Sequence, residues 1–454
     1  MANPNPDPGT LELIRLANRI TYGANRQTLA AAESLGYAGF VEWQLEDDFD
    51  DGELEALLQQ FLPTLTMDAE TLADYVFEQQ NFGAPARDLI IASMIRRTFS
   101  PRQLHERMVE FWSDHFSVPA TNVVQSMFKV LEDRELIRAS SMADFTTLLR
   151  GNARSPAMLY YLDNYVNTAD GPNENYAREL LELHTMGVDG GYTEDDIKEV
   201  ARVFTGWTIR PPADFVFNPA THDWDPKTVL GERIPGYGLG EGDRVLMMLA
   251  EHESTARHVS TKLARRFFSD NPGDAVIDAV TDTFDASGGD VREMLRTLLL
   301  HPEVAATPAI KFKRPMEFLA GIARVLETEL SEGALGMMFS ALDTSGHVPF
   351  SWPAPDGYPD QRSYWQSTNG LLMRFNSAGA WTGQLSGQSA LLQQARAISD
   401  PIEQVDFLAA TLRPEGMDGG SRRLMLRYAN RLAEADRVSG LAAWLLAGPE
   451  AQWR

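Results

Sequence analysis

The spacing of apolar residues is helical along most of the first 145 positions. In stretches such as "LELIRLANRI" and "ARDLIIASMIRRTFS" the apolar residues recur three and four positions apart, the period of an amphipathic α-helix. Similar stretches follow residue 243, whereas the alternation typical of strands is scarce. Thr193 and Asp196 have the spacing of a capping box and predict a helix after Thr193. The pattern therefore predicts a mainly α-helical, multi-helix protein.

Two Pro- and Gly-rich stretches interrupt this pattern, at residues 208–243 and 345–365. Within the first, "DFVFN" alternates like a short strand, so we expect at most a small β-hairpin there. Long irregular segments in a compact helical protein usually carry function. We therefore expect both insertions to lie near the functional site.

The chain has 454 residues, a length that suits one large domain or two to three smaller ones. The pattern divides it into an N-terminal helical region (1–145), a central helical region with the loop 208–243 (146–344), and an aromatic, Pro-rich loop followed by C-terminal helices (345–454). One single domain is equally compatible with this division.

The formal net charge is −24, from 64 acidic and 40 basic residues, and no cluster of Lys and Arg opposes it. Nucleic acid and anionic membranes are therefore poor partners. No apolar run is long enough to span a bilayer. The chain has no cysteine, which excludes disulfides, thiolate metal sites and a cysteine nucleophile.

The first residues, "MANPNPDPGT", do not have the form of a signal peptide. We expect an extracellular or periplasmic location if a signal peptide was removed before this start, and a cytoplasmic location otherwise.

The densest group of reactive side chains lies in "GPNENYARELLELHTMG", residues 171–187. At about 100° per residue, Asn175, Arg178, Glu179 and Glu182 share one face of a helix, which also holds Glu174. One interpretation is a solvated face, in which Arg178 pairs with Glu174 or Glu182 at four-residue spacing. The other turns this polar stripe toward a cleft.

In the second interpretation, Glu179 and Glu182 are catalytic, either as acid and base or as ligands of a divalent metal. Asn175 and Arg178 then bind an anionic or hydroxylated substrate. Two carboxylates on one helix approach a substrate from one side, so a second group must come from elsewhere.

The segment "HDWDPK" is the expected source of that second group. His222 and Asp223 supply nitrogen and oxygen atoms for catalysis or for the same metal, and Lys227 can stabilise negative charge on a substrate. Taken alone, the segment is also typical of an Asx-type turn.

Aromatic residues are concentrated in "WPAPDGYPDQRSYW". Trp352, Tyr358 and Trp365 could form a stacking surface for sugars, or a proline-fixed plug of the core. Asp163 is a further candidate substrate-binding residue, since it precedes the polar stripe. His115 and His184 fall on apolar helix faces, where histidines are more often packed than catalytic.

Six blocks of this sequence, in this order, resemble the bacterial domain of unknown function 1800 family: "MVEFWSDHF", "PNENYARELLELHTMG", "ARVFTGW", "HDWDPKTVLG", "KFKRPMEF" and "WPAPDGYPDQRSYW". "LANRITYGANRQTL" is similar to that family's first block, and the resemblance covers essentially the whole chain. It implies phenylalanine more often than histidine at position 184. It also implies export, a cell-envelope or polymer-processing context, and a sulfatase-like partner protein.

The sequence contains no phosphate loop, dinucleotide fingerprint, serine elbow or zincin motif. The polar stripe and the aromatic loop favour a hydrolase or lyase of an extracellular or cell-envelope polymer, with a glycan as the expected substrate. The alternative hypothesis is a non-catalytic envelope scaffold or binding protein, in which the same stripe is a buried salt-bridge network.

Overall fold

The computed structural model describes residues 6–454. Helices dominate this part of the chain, and its only sheets are two small antiparallel hairpins. The prediction of a mainly α-helical protein is confirmed. Every helix in residues 6–454 is too short or too polar to cross a lipid bilayer.

The elements follow one another along the chain in three groups. The first helices are α1 (Pro8–Ile20), α2 (Arg26–Glu46), α3 (Gly52–Phe61), α4 (Ala69–Phe77), α5 (Ala84–Phe99), α6 (Gln103–His115) and α7 (Val123–Glu132). The central elements are α8 (Phe145–Arg154), α9 (Pro156–Tyr161), α10 (Glu174–Glu179), α11 (Glu194–Val203), β1 (Trp207–Arg210), β2 (Asp214–Phe217), β3 (Lys227–Val229), β4 (Glu232–Ile234), α12 (Leu239–Ala250), α13 (Glu253–Phe267), α14 (Asp274–Ser287), α15 (Val291–Leu300) and α16 (Pro302–Ala306). The last are α17 (Pro315–Val325), α18 (Glu332–Ser345), α19 (Arg362–Trp365), α20 (Thr368–Gln384), α21 (Ala390–Ala397), α22 (Pro401–Leu412), α23 (Gly419–Ala429) and α24 (Glu434–Ala447).

Side-chain caps explain where many of the helices begin. Asn25, Asp68, Asn122 and Asp144 each accept a backbone N–H of the first turn that follows, a group that would otherwise be unpaired. The predicted capping box of α11 is confirmed: the Thr193 hydroxyl accepts the Asp196 N–H, and the Asp196 carboxylate accepts the Thr193 N–H at 2.9 Å.

The first irregular insertion contains the predicted hairpin. "DFVF" forms β2 and pairs with β1 so that Trp207 lies opposite Phe217. A second hairpin, β3–β4, follows and buries Val229 and Ile234. Both hairpins pack beside α11 and α12 through these apolar residues, so the insertion is an ordered part of the core.

Two large apolar cores hold the helices together. The first includes residues from Leu16 to Val304 and therefore spans the expected boundary at residue 145 without a break. The second is built mainly from α17 to α24 and also takes in Tyr22 and Met94. The second irregular insertion, residues 346–361 between α18 and α19, is called the Pro-rich loop below.

Candidate functional site

The polar stripe divides into two parts with different surroundings. Arg178 is a third exposed and pairs with Glu174 at 3.2 Å, with Glu182 at 3.5 Å and with Glu194 of α11 at 2.9 Å. Exposed pairs of this kind contribute about 0 to 1 kcal/mol each. Arg178, Glu174 and Glu182 therefore form the ion-paired, solvated face that the first interpretation describes, and Asn175 lies exposed at its end.

Glu179 behaves differently from its two neighbours. It is half-buried, and within residues 6–454 its carboxylate has no hydrogen bond or ion pair. Burial raises the pKa of Glu179, and the negative charges of Glu182 and Asp356 raise it further, while Arg178 opposes them. A glutamate that retains its proton more readily than usual is suited to act as a general acid.

Glu179 interacts electrostatically with Tyr161 of α9 and with Asp356 of the Pro-rich loop. Tyr161 donates its hydroxyl to the Pro353 carbonyl at 2.7 Å, and the Trp352 indole N–H donates to the Asp356 carboxylate at 2.7 Å. Burial raises the pKa of Tyr161 to about 12, and Glu179 and Asp356 contribute to the increase. Glu179 and Asp356, called the acidic pair below, thus lie in one electrostatic environment on two different elements.

A turn of π-helix follows Glu179, from Leu180 to His184. Hydrogen bonds from residue i to i+5 add about one residue to the turn, and such turns occur frequently at functional sites. The 3.6-residue period therefore no longer holds after Leu180. Arg178 still pairs with Glu182 at four-residue spacing, whereas Glu179 has no ion pair within residues 6–454.

A cavity of about 210 Å³ lies beneath the Pro-rich loop, and Asp356 is on its wall. Lys262 of α13 also lines it, and within the described chain no carboxylate lies within ion-pair distance of this ammonium group. Burial lowers the pKa of Lys262 to about 8, against the opposing charges of Asp114 and Asp360. Lys262 is therefore a group that can exchange a proton near neutral pH.

Close packing at Gly357 fixes the loop over this cavity. Its φ is 73°, and a Cβ atom at this position would lie 2.0 Å from the Asp114 carbonyl oxygen. Only glycine fits such a conformation at this distance. The contact holds Asp356 at the edge of the cavity and Tyr358 beneath it.

A buried network of charges joins the loop to the helices below it. Arg266 lies 2.7 Å from both Asp114 and Asp360 and 3.2 Å from Glu110. Arg314 lies 2.7 Å from both Glu110 and Asp114. Buried charges are costly unless they are paired in this way. The network, called the central network below, therefore makes the position of the loop depend on α6, α13 and the start of α17.

The sequence did not single out the central network or Lys262 and Asp356. Most of these side chains lie in three of the quoted blocks, with Asp114 in "MVEFWSDHF", Arg314 in "KFKRPMEF" and Asp360 in "WPAPDGYPDQRSYW". The structure brings these blocks together around the cavity. The sequence feature that could have identified these residues is a charged side chain among apolar ones in each of the three blocks.

His222 and Lys227 are parts of a separate buried cluster. The His222 Nε2 lies 3.0 Å from one Glu241 oxygen, and its Nδ1 lies 2.8 Å from the Thr205 carbonyl. Lys227 donates to the other Glu241 oxygen at 2.7 Å. Asp223 binds Arg202 at 2.7 Å. These contacts fasten the second hairpin to α11 and α12.

This cluster is not the second group that the stripe required. The contacts of His222 are with Thr205 and Glu241 rather than with Glu179 or Glu182. The Asp223 carboxylate also accepts the Asp225 N–H at 2.9 Å, so the Asx-type turn is confirmed. Across residues 6–454, no three His, Asp or Glu side chains converge in a geometry that could hold a metal ion.

The aromatic block is mostly a plug of the core. Tyr358 and Trp365 are buried, and they donate to the carbonyls of Val348 and Pro359, each at 2.6 Å. Trp352 is half-buried and Tyr364 is 51% exposed, so these two rings can contact a ligand. Asp163 is exposed in a left-handed turn between α9 and α10 and is not part of the cavity wall.

Three histidines pack behind the π-helical turn. His115 donates to the His184 carbonyl at 3.0 Å, and His258 donates to the Leu183 carbonyl at 3.2 Å. The two ring nitrogens of the buried His184 have no partner in the described chain. Burial, together with the charge of Lys262, lowers the pKa of His184 to about 3 and that of His258 to about 4. The predicted packing of His115 and His184 is confirmed.

These lowered pKa values predict a loss of stability in mild acid. A neutral buried histidine contributes stability that is complete above the unfolded pKa of about 6.5 and is lost as the pH falls toward the folded pKa. His184→Phe removes one such site, worth about 1.4 kcal/mol per pH unit in this window. We therefore expect the melting temperature of His184→Phe to fall less than that of the wild type between about pH 6.5 and pH 4.5.

His252→Asn is a suitable control, because asparagine can retain the capping bond of His252 to the Ser254 N–H. It is expected to follow the wild type. Equal acid sensitivity of His184→Phe and the wild type would contradict the assignment.

Comparison with known proteins gives a family and no function. The sequence model of the family described as "Protein of unknown function (DUF1800)" matches residues 15–453. No match is found among curated proteins or among solved structures. Because the matched region covers nearly the whole chain, the protein belongs to the DUF1800 family.

Proposed function

We propose that the chain is a hydrolase or lyase of an extracellular or cell-envelope glycan, with Glu179 as the general acid. The observation that carries the proposal is that Glu179 is the carboxylate of the stripe without a cationic partner, and that its pKa is raised beside Asp356. Glycosidic bonds are usually cleaved by two carboxyl groups with different surroundings, one of which retains its proton.

The second carboxylate favours hydrolysis. Asp356 comes from the Pro-rich loop and Glu179 from α10, so the acidic pair approaches from two elements, as cleavage between two carboxylates requires. The indole N–H of Trp352 orients Asp356. In the proposed reaction, Glu179 protonates the leaving glycosidic oxygen, while Asp356 activates water or stabilises the positive charge that develops on the sugar ring.

The exposed aromatic edge supports a sugar as substrate. The Trp352 and Tyr364 rings lie 5.7 Å apart at 80°, beside Asp356, and each has an accessible face or edge. The apolar C–H faces of sugar rings pack on such side chains, while nearby carboxylates bind hydroxyl groups. This aromatic edge is smaller than the sequence suggested, since Tyr358 and Trp365 support the loop from below.

Lys262 supports a lyase as the second form of the proposed activity. With a pKa of about 8, part of its amine is neutral near neutral pH and can remove a proton from a sugar acid in a β-elimination. The envelope location and the sulfatase-like partner remain predictions from the resemblance.

A panel of purified envelope and plant polysaccharides tests the proposal. Hydrolysis releases reducing ends without a new double bond, whereas elimination also produces the ultraviolet absorbance of an unsaturated sugar acid. We expect activity on at least one polymer and its loss in Glu179→Gln. Glu182→Gln is the matched control, since it changes the same stripe at an ion-paired position.

The alternative function, a non-catalytic envelope scaffold, is favoured by the central network, which ties the Pro-rich loop to three helices. The sequence hypothesis placed the buried ion-pair network in the polar stripe. In the structure the stripe lies at the surface, and the buried network is the central network. If the chain is a scaffold, neither the wild type nor Glu179→Gln cleaves any polymer of the panel.

A further inference from the structure

A second cavity, of about 510 Å³, lies where the end of α1, the start of α2, the turn between α5 and α6, and the end of α17 meet. It shares no lining residue with the cavity beneath the Pro-rich loop. Several of its side chains, among them Thr21, Asn25 and Thr28, come from "LANRITYGANRQTL", a segment with no part in the proposed reaction.

Arg324 on the wall of this cavity is a buried cation without a counter-ion. It is 8% exposed, and it donates to the carbonyls of Gly23 and Thr98, each at 2.9 Å, and to the Thr28 hydroxyl at 3.3 Å. No carboxylate of residues 6–454 lies within ion-pair distance of Arg324. Glu327, on the same wall, pairs with Arg26 instead. Burial alone lowers the pKa of Arg324, to about 10.

Most buried arginines elsewhere in the described chain are paired with carboxylates. Arg19 and Arg374 are not, but they donate to carbonyl and amide oxygens and do not line this cavity. Arg266 and Arg314 each contact at least two carboxylates. A cleft of about 530 Å³ is lined by five arginines. Carboxylates hold four of them, Arg96, Arg102, Arg134 and Arg138, and the partly buried Arg292 donates to the carbonyls of Leu45 and Met142. Arg324 is thus a buried arginine on a cavity wall whose surroundings lack the negative charge that burial ordinarily requires.

The free donors of Arg324 match a carboxylate. A guanidinium group has five N–H bonds, and the three protein acceptors leave one N–H on each terminal nitrogen. Two N–H bonds on neighbouring nitrogens bind the two oxygens of a carboxylate in the geometry that arginine prefers.

The rest of the lining matches a hydroxyl-bearing ligand with an apolar face. Asn25 and Gln44 supply side-chain N–H groups that donate to no residue in the described chain, whereas the Thr21 hydroxyl is used by Ala17 and Gly23. The half-buried ring of Trp43 is held by Phe49 at a centroid distance of 4.6 Å. Thr328 is 5% exposed, and its hydroxyl has no hydrogen-bond partner in the described chain. A cation, neutral hydrogen-bonding groups and an indole ring together suit a sugar acid.

We propose that this cavity binds a carboxylate-bearing saccharide residue, with Arg324 on the carboxylate and Trp43 against the sugar ring. The inference goes beyond the proposed function and does not depend on it, because no residue of the acidic pair takes part. A failure of either can therefore be recognised separately: this site is read out by binding, and the acidic pair by cleavage.

Calorimetric titration and thermal unfolding of the full chain with sodium glucuronate test the proposal. Glucose, glucose 6-sulfate and sodium chloride at matched ionic strength are the comparison ligands. We expect a saturable rise in melting temperature with glucuronate, and binding of glucose at least about tenfold weaker, because it lacks the charge-assisted hydrogen bonds. No greater effect of glucuronate than of glucose and chloride would overturn the site, and tighter binding of the sulfate ester would overturn the carboxylate assignment.

Variants connect the binding to the residues. Arg324→Gln is expected to abolish glucuronate binding, whereas Arg244→Gln, which removes an exposed arginine that pairs with Glu232 away from the cavity wall, is expected to leave it unchanged. Thr328→Val retains the shape of a side chain whose hydroxyl is unpaired, so it is expected to fold as the wild type and to bind several-fold more weakly. Unchanged affinity in a folded Arg324→Gln protein, or in Thr328→Val if Arg324→Gln does not fold, would overturn the proposal.

Discussion

Replacing Arg314 by methionine is expected to lower the free energy of unfolding by about 3 to 5 kcal/mol. Arg314 is 1% exposed and lies between Glu110 and Asp114, so its loss leaves two buried carboxylates with less compensating charge. Arg266 and Arg97 remain, but their positions are fixed by other contacts in the same network. Urea unfolding followed by circular dichroism measures this change.

Arg178→Met is the matched control for this experiment. Arg178 also contacts more than one carboxylate, but it is a third exposed, so we expect its replacement to cost about 0 to 1 kcal/mol. Equal losses in the two variants would show that the central network contributes no more than a surface network, which would contradict the account of how the Pro-rich loop is held.

The second large effect is expected at Glu179. On a polymer that the chain cleaves, Glu179→Gln should lower turnover by about 10²- to 10⁴-fold, the usual contribution of a positioned general acid. Because glutamine cannot donate the required proton, the loss should appear in kcat as well as in kcat/KM. Glu182→Gln should keep most of the activity, since the Glu182 carboxylate is ion-paired with Arg178 and is not the proposed proton donor.

The pH dependence of turnover provides an independent check on Glu179. A general acid acts in its protonated form, so activity should decline as the pH rises through the pKa of Glu179, which burial and neighbouring carboxylates raise above the ordinary range. A decline that begins at or below the ordinary glutamate pKa of about 4.3 would contradict this role.

The sequence predicts the helices well because their determinants are local. Apolar residues three and four apart and caps such as Thr193 act within one or two turns, so they can be recognised without knowledge of the fold. The ion pairs of Arg178 with Glu174 and Glu182 were predictable for the same reason. The irregular character of residues 208–243 and 346–361 followed from their Pro and Gly content.

The site itself is formed by contacts between residues that are far apart in the sequence. Gly357 lets the Pro-rich loop that carries Asp356 approach α6, and the sequence of neither segment indicates this approach. The sequence therefore identified Glu179 but assigned its partner to "HDWDPK", whose polar atoms are used within their own cluster.

The proposed role of Glu179 requires an unpaired carboxylate that serves the reaction and does not stabilise the fold. Its folded pKa is raised, so the stability that the carboxyl contributes is complete below the unfolded pKa of about 4.3 and is lost as the pH rises through the folded pKa. Replacing Glu179 by a neutral residue should therefore raise the free energy of unfolding at neutral pH and change it little in acid.

Thermal unfolding of Glu179→Gln and Glu182→Gln at about pH 7 and about pH 4 tests this claim most directly. We expect Glu179→Gln to melt at or above the wild-type temperature at neutral pH, with a smaller difference in acid, and Glu182→Gln to melt slightly below the wild type at neutral pH. A clear loss of stability in Glu179→Gln at neutral pH would contradict the account, because it would show that the ionised carboxylate is a structural partner of the fold.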